Sequence, residues 1–219
     1  MKTVAFIPIK LNNERTPGKN IRPFSDGTPL IFFVQEKLKR LKEEGIIDEI
    51  YCFCSNDEIV KYLLDEVEFL KRPESLDSKE TLGRQIYGTF VDMIEADVYV
   101  LAHATSPFVS VDHMRECIRR VQSGENDSAF CAKKIQNFLW EDGKPLNFEL
   151  SNPIRTQDMK PIYMELSSPY VFTKEGWRLY HSRSGKTPYI CETTEIEAID
   201  IDYPEDFVLA DSVYMSLIK

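Results

Sequence analysis

The sequence predicts an α/β fold, three layers deep, around a mostly parallel sheet. Short apolar runs ending in turn residues alternate with stretches whose apolar residues recur at helical spacing. This alternation persists from Val4 to Ala132 and argues for successive βαβ units. The 219 residues, 42% of them hydrophobic, carry enough apolar material for one domain.

Val4–Ile7 is apolar throughout and bounded by Pro8, as a strand covered on both faces would be. Residues 29–44 read as a helix: Leu30, Phe33, Val34, Leu38 and Leu41 share a face, Pro29 suits the first turn, and Gly45 ends it. Glu49–Cys54 is the second strand. A helix is expected over 57–64, capped by Ser55 or Asn56. A short strand at 67–70 leads to Arg72-Pro73, and a helix with Leu82, Ile86, Phe90 and Ile94 on one side spans 81–94. The apolar run 97–102 is the fourth strand, ending in His103-Ala104-Thr105-Ser106-Pro107. A helix over 111–121 and a strand over 127–132 follow.

From Lys133 the rhythm breaks. Glu141-Asp142-Gly143-Lys144 between aromatic runs signals a hairpin. Residues 134–164 read as an arm projecting from the single domain 1–219, its aromatics suited to a dimer contact or to folding back on their own domain. Strands are expected at 169–173, 189–191 and 197–202, with helices at 174–182 and from Pro204 to Ile218. In such a sheet, ligands bind beyond the carboxyl ends of the strands. That brings the loop after the first strand, the turn at 55–57, Arg72 and residues 103–107 to one rim.

The net charge of −9 and pI of about 5.0 argue against a general nucleic-acid surface, which needs a broad basic face. Local cations suggest a small anionic ligand instead. The five cysteines lack a CxxC and only three histidines accompany them, so reduced buried thiols are expected and zinc is not. No run reaches membrane-spanning length, and the chain opens directly on a strand, so a cytoplasmic protein without a signal peptide is expected.

The loop after the first strand carries Lys10, Arg15 and Lys19, with Asn12, Asn13, Glu14 and Pro17-Gly18. It reads as an anion cradle or as a solvated turn. Asp200 and Asp202 alternate with Ile199 and Ile201; in a strand their carboxylates share a face. They read as a Mg²⁺ site completed by phosphate oxygens, or as caps for the last helix. His103 is a candidate acid or base, or a ligand-lining ring, and Thr105 and Ser106 are hydrogen-bond donors to a ligand or caps for the next helix. No GxSxG, Walker or HExxH sequence occurs, so no nucleophilic mechanism is indicated. Cationic loop, acidic pair and parallel sheet together fit nucleotidyl transfer driven by positioning and electrostatics.

The segment IPIKLNNERTPGKNIRPF, followed by TPLI, resembles the signature of the CMP-sialic acid synthetases and their relatives acting on KDO. The resemblance continues through CSNDEI, LKRPESLDSKET, LAHATSPFVSVDHM and EIEAIDIDYPEDFVLAD. It implies a nucleotide-diphospho-sugar transferase-like fold, CTP as donor, Mg²⁺, and a CMP-sugar and pyrophosphate as products. By position it assigns Lys10, Arg15, Lys19 and Asn20 to the triphosphate and nucleoside, and Arg72 to the cytidine. It assigns Asp200 and Asp202 to the metal, with Lys19, Arg15 and Asp202 closest to the chemistry. Arg155 and Gln157 resemble an element of the dimerisation arm that reaches the neighbouring subunit's sugar pocket, implying a homodimer. His103, Thr105 and Ser106 fall on the acceptor side.

The chain departs from the family pattern in several places. Lys10 replaces the usual arginine and Arg15 the usual lysine, His103-Ala104 replaces Gln-Pro, Leu166-Ser167 replaces Asn-Gly, and Gly83 replaces a common serine. KDO enzymes usually carry an aspartate near Thr105, so its absence tilts the resemblance toward the sialic-acid branch. The alternatives are KDO or another sugar as acceptor, or a nucleotide-binding homologue without turnover.

Overall fold

A computed structural model describes residues 1–12 and 15–219. Seven strands form one sheet: β1 (Thr3–Ile9), β2 (Glu49–Cys54), β3 (Glu68–Lys71), β4 (Val98–Leu101), β5 (Ser128–Ile135), β8 (Ile162–Thr173) and β9 (Pro188–Thr193). Their order is β3-β2-β1-β4-β8-β5-β9, parallel except for β8, which runs against both neighbours. The expected three-layer, mostly parallel sheet is therefore present. Strand β8 is longer than expected, because β5 and β8 form the two limbs of one long antiparallel pair around residues 136–161. Two short strands in that segment, β6 (Trp140–Glu141) and β7 (Lys144–Pro145), make the expected hairpin.

Side-chain alternation along β1 divides the core. Ala5, Ile7 and Ile9 pack with α1 (Leu30–Glu43) and α3 (Val111–Gln122), while Val4 and Phe6 pack with α2 (Gly83–Met93) and α4 (Lys174–Tyr180). Phe6 and Phe90 stack with centroids 4.1 Å apart. Helix α1 ends as expected: Gly45 adopts φ 70°, and the Ile46 amide donates back to the Leu41 carbonyl. Leu82 lies outside α2 and is exposed, so the apolar face of that helix begins at Ile86. The 57–64 helix is instead a 3-10 turn, Asp57–Tyr62, capped by the Asn56 side chain.

Residues 197–202 are not a strand. Thr194 and Glu197 close a helical turn: the Glu197 carboxylate accepts from the Thr194 amide at 3.0 Å, and the Thr194 hydroxyl accepts from the Glu197 amide at 3.3 Å. This reciprocal capping wins over the hydrophobic alternation of 197–202. Helix α5 (Pro204–Val213) then continues through a π-turn to Ile218. Beyond α5, Ile201 is buried with Phe24, Leu30, Phe108 and Phe207 in a third, smaller cluster.

Candidate active site

Strand order reverses between β1 and β4: the chain builds β2 and β3 on one side of β1, then returns to its other side. The crevice at such a switch point is the usual ligand site of an open α/β sheet. It is flanked here by the loop leaving β1 and by residues 102–107 leaving β4. Of the cradle residues, Asn13 and Glu14 lie outside the described residues.

The segment 200–202 comes to this crevice from the other end of the chain. Its Ile201 amide donates to the Thr105 carbonyl at 2.9 Å. Lys19, only 8% exposed, donates from Nζ to the Ile201 carbonyl (2.6 Å) and to Asp202 Oδ1 (2.9 Å). Arg15 meets Asp202 Oδ2 at 3.1 Å and lies 5.3 Å from the Tyr203 ring centroid. The Thr16 hydroxyl donates to the Asp202 carbonyl at 3.0 Å. Both cations converge on one carboxylate because Gly18 turns the chain at φ 67° into the 3-10 turn Lys19–Ile21. The loop is thus folded onto the acids, and Lys19 and Thr16 are buried.

Lys10 points elsewhere. Its Nζ donates to the Asp77 carbonyl, and its own carbonyl accepts from the Asn20 side chain at 3.0 Å. Asp77 also receives Arg72, whose Nη2 donates to Oδ1 at 2.5 Å. The Arg72 side chain is 1% exposed, and its Nη1 reaches the Phe53 carbonyl at 3.4 Å. Its Nε is buried and has no hydrogen-bond partner among the described residues. Burial pushes the Asp77 carboxyl upward, but hydrogen bonds from Ser55 and Arg72 outweigh this and hold it below the usual range. A cleft of about 470 Å³ beside these groups is lined by Asn12, Ser55, Asn56 and Asp77 among others. The rim expected from the sequence is therefore assembled.

Asp200 has separate partners: the Ser167 hydroxyl donates to it at 2.8 Å and the Ser106 hydroxyl at 3.4 Å. Neither acid caps α5. Asp206 does so, accepting from the Asp202 and Tyr203 amides at 3.0 and 2.7 Å. Nor do Thr105 and Ser106 cap α3; Ser110 does, accepting from the His113 amide.

His103 is enclosed between Ser167, whose carbonyl meets Nδ1 at 2.5 Å, and Tyr87, whose hydroxyl lies 3.3 Å from Nε2. Burial holds the imidazole below its ordinary pKa; the Ser167 carbonyl only partly opposes this. The ring is thus neutral near pH 7, with Nδ1–H donating to Ser167 and Nε2 left as an acceptor. Ser167 reaches both His103 and Asp200 because the β5–β8 register slips between Phe130 and Ala132, bulging the chain at 166–169. The departures from the family pattern at His103-Ala104 and Leu166-Ser167 therefore differ in what they line. Ala104 and Leu166 are 2% and 4% exposed and belong to the core beneath α1 and α3, leaving Ser167 and Tyr87 around His103. Arg183 completes this side, with its guanidinium carbon 3.7 Å from the Tyr170 ring centroid and Nη2 3.5 Å from Glu165.

Sequence reasoning named Ser167 only as a departure from the family pattern, and missed Asp77 and Glu197. Glu197 accepts from the Thr194 and Ser110 amides and from His113 Nδ1, tying the acidic segment to α3. Its signal was present as the capping spacing Thr194-x-x-Glu197. Arg155 and Gln157 are exposed in the segment between β7 and β8, where Arg155 pairs with Asp158 at 2.7 Å.

A family model described as Cytidylyltransferase matches residues 4–214. The chain belongs to the cytidylyltransferase family. Among curated proteins, this cytidylyltransferase is 26% identical to N-acylneuraminate cytidylyltransferase A of Danio rerio over 224 residues, covering 94% of the chain and 49% of the relative. It is 24% identical over 217 residues to N-acylneuraminate cytidylyltransferase of Oncorhynchus mykiss, again covering 94% and 49%. The chain thus spans about half the length of the curated relatives it matches. Among solved structures, CMP:2-keto-3-deoxy-manno-octonic acid synthetase complexed with CTP superposes with TM-score 0.68 at 14% identity, covering 98% of this chain and 99% of that one. A 4-diphosphocytidyl-2C-methyl-D-erythritol synthase from Anaerococcus prevotii gives 0.69 at 14% identity, covering 98% of each chain. At that identity the structural likeness shows the fold, which is that of nucleotidyltransferases.

Proposed function

We propose that this cytidylyltransferase transfers CMP from CTP to a nonulosonic, sialic-acid-like sugar, releasing pyrophosphate, with Mg²⁺ bound by Asp200 and Asp202. The observation that carries the proposal is the convergence of Lys19 and Arg15 on Asp202 at the strand-order switch. Two cations and a carboxylate from opposite ends of the chain meet where a nucleotide would lie. A triphosphate entering the crevice exchanges one anion for another: Lys19 and Arg15 turn from Asp202 to phosphate oxygens, and the carboxylate becomes free for a cation. The donor set at 200–202 is carboxylate oxygen throughout, backed by the Ser106 and Ser167 hydroxyls, which suits a hard ion such as Mg²⁺. When bound there, Mg²⁺ supplies charge neutralisation on the phosphate oxygens.

The chain's own groups do the rest. Lys19, fixed by the Ile201 carbonyl, presents a positioned cation at low exposure, where its field is least screened. We assign Arg72, held by Asp77 against Phe53 and with an Nε–H unshared among the described residues, to the nucleoside side. Asn20 orders the loop through the Lys10 carbonyl. The acceptor's hydroxyl oxygen forms a bond to the α-phosphorus as the bond to the β-phosphate oxygen breaks, and its proton passes to solvent. His103, Thr105 and Ser106 lie on the acceptor side, with Ser167 and Tyr87 added by the geometry.

The curated relatives favour an N-acylneuraminate-like acceptor over KDO, although one of the fold's near structural relatives is named for KDO activation. We assign the segment 136–161 to a homodimer contact, supported by exposed Trp140, Leu146, Leu150 and Ile154, with Arg155 and Gln157 reaching the neighbour's sugar site. A cytoplasmic enzyme fits the five free cysteines, and no described helix is long and apolar enough to cross a membrane. The test is Asp202→Asn, assayed for pyrophosphate release with CTP, Mg²⁺ and a panel of acidic sugars including KDO. It should lose at least about 100-fold in kcat while keeping its fold and CTP affinity within a few-fold. A fully active variant would exclude the metal role.

A further inference from the structure

Three cysteines far apart in sequence meet in the core beneath α3. Cys117 comes from α3, Cys131 from β5 and Cys191 from β9, and the last two stand directly opposite each other in the parallel β5–β9 ladder. All three are at most 2% exposed. Their sulfurs lie within 4.8 Å of one another, and that of Cys117 is 3.9 Å from that of Cys131. A carboxylate adjoins them: Glu116 Oε2 is 3.8 Å from Cys191 Sγ, while Oε1 accepts from the Tyr189 hydroxyl at 2.5 Å.

We propose that Cys117, Cys131 and Cys191, with Glu116 as fourth ligand, hold one structural zinc ion. Zinc–sulfur bonds of about 2.3 Å in a tetrahedron place sulfurs about 3.8 Å apart, and a carboxylate oxygen at about 2.0 Å falls about 3.5 Å from each sulfur. The Cys117–Cys131 and Glu116–Cys191 separations are within a few tenths of an ångström of those values. The other sulfur–sulfur edges, none longer than 4.8 Å, close by about 1 Å or less, within reach of χ1 adjustments, and the Glu116 carboxylate turns from Cys191 further toward the other two sulfurs on loading. A purely apolar packing of thiols needs no carboxylate turned toward it. Here one reaches the Cys191 thiol and is oriented by a tyrosine hydroxyl, as outer-shell donors orient metal ligands. Loading displaces three thiol protons to solvent, and three thiolates plus one carboxylate around Zn²⁺ leave the same net charge as a four-thiolate site. Linear spacing hides the set because its members come from a helix and two strands. The ion would brace β9, which leads through Thr194 and Glu197 to the acids, against α3, which follows the 103–107 loop.

The experiment is metal analysis of the full chain expressed with zinc, and of a cobalt-substituted preparation. About one zinc per chain is expected, with thiolate-to-cobalt charge-transfer absorption in the near ultraviolet. Cys131→Ser and Cys191→Ser should lose the metal, and Cys52→Ser and Cys54→Ser should retain it. Because core serines can prevent folding, Glu116→Gln at its half-buried position serves as a second variant. It should remain folded and surrender zinc to a chelator at least about tenfold more readily. A folded wild-type chain without stoichiometric zinc, a cobalt form without the thiolate band, or Glu116→Gln indistinguishable from wild type in chelator competition would each overturn the proposal.

Discussion

Replacing Lys19 with methionine separates stability from catalysis. The substitution keeps most of the aliphatic stem, so little packing is lost. It removes two hydrogen bonds from Nζ, to the Ile201 carbonyl at 2.6 Å and to Asp202 Oδ1 at 2.9 Å. Charge-assisted bonds contribute about 1.5–3 kcal/mol each, but the Asp202 side chain is 45% exposed, keeps Arg15 at 3.1 Å and can be rehydrated. Desolvating the Lys19 ammonium also costs free energy that methionine avoids. The net loss is then about 1 kcal/mol, a modest drop in the denaturant midpoint. Catalysis should suffer more. A fixed cation facing developing phosphate charge contributes about 3–4 kcal/mol, so kcat/KM should fall about 10²–10³-fold. The assay is initial-rate pyrophosphate release at varied CTP, alongside urea unfolding of the same preparation. A folded Lys19→Met variant within about twofold of wild-type kcat/KM would refute the assignment of Lys19 to the triphosphate.

Other outcomes follow from neighbouring groups. Burial would raise the pKa of Glu197, but amide donors from Thr194 and Ser110, then His113, outweigh it and lower the value from 4.5 to about 2. A depressed carboxylate pKa stabilises the fold above pH 4.5 and ceases to do so as pH falls toward about 2. Discounted for partial exposure, that contribution is about 1–2 kcal/mol, so Glu197→Gln should be less stable than wild type at pH 7 by this amount, and the gap should close on acidification. A pH-independent gap in urea titrations would show that the carboxylate's charge is not what matters. Arg72→Met breaks a buried pair and removes the Nε donor; CTP affinity by calorimetry should fall at least about tenfold, and Arg72→Lys should recover little because lysine lacks the planar fork. Unchanged CTP binding by a folded Arg72→Met variant would remove Arg72 from the nucleoside site.

The parallel half of the fold was legible in the sequence because each strand from β1 to β5 is a short apolar run with turn residues behind it. The antiparallel course of β8 was not, since burial pattern carries no strand direction and the 136–161 excursion conceals the pairing of residues 132–135 with 162–165. The error at 197–202 came from reading alternation where a local capping pair, Thr194 and Glu197, decides the conformation. For the site, residue types in the first loop and at 200–202 were informative, because cations and paired acids are rare together on a switch-point rim. Their partners were not. Ser167 reaches Asp200 only through a bulge, Lys10 turns to the Asp77 carbonyl across 67 residues, and Leu166 faces the core rather than the pocket.

The most direct measurement is phosphorus NMR of the wild-type chain with CTP, Mg²⁺ and an N-acylneuraminate-type acid. The account predicts loss of the CTP resonances with equal growth of pyrophosphate and a CMP-sugar phosphodiester, dependent on both the acid and Mg²⁺. A chain that binds CTP yet yields neither product with any acidic nonulosonic sugar, at any Mg²⁺ concentration, would contradict it.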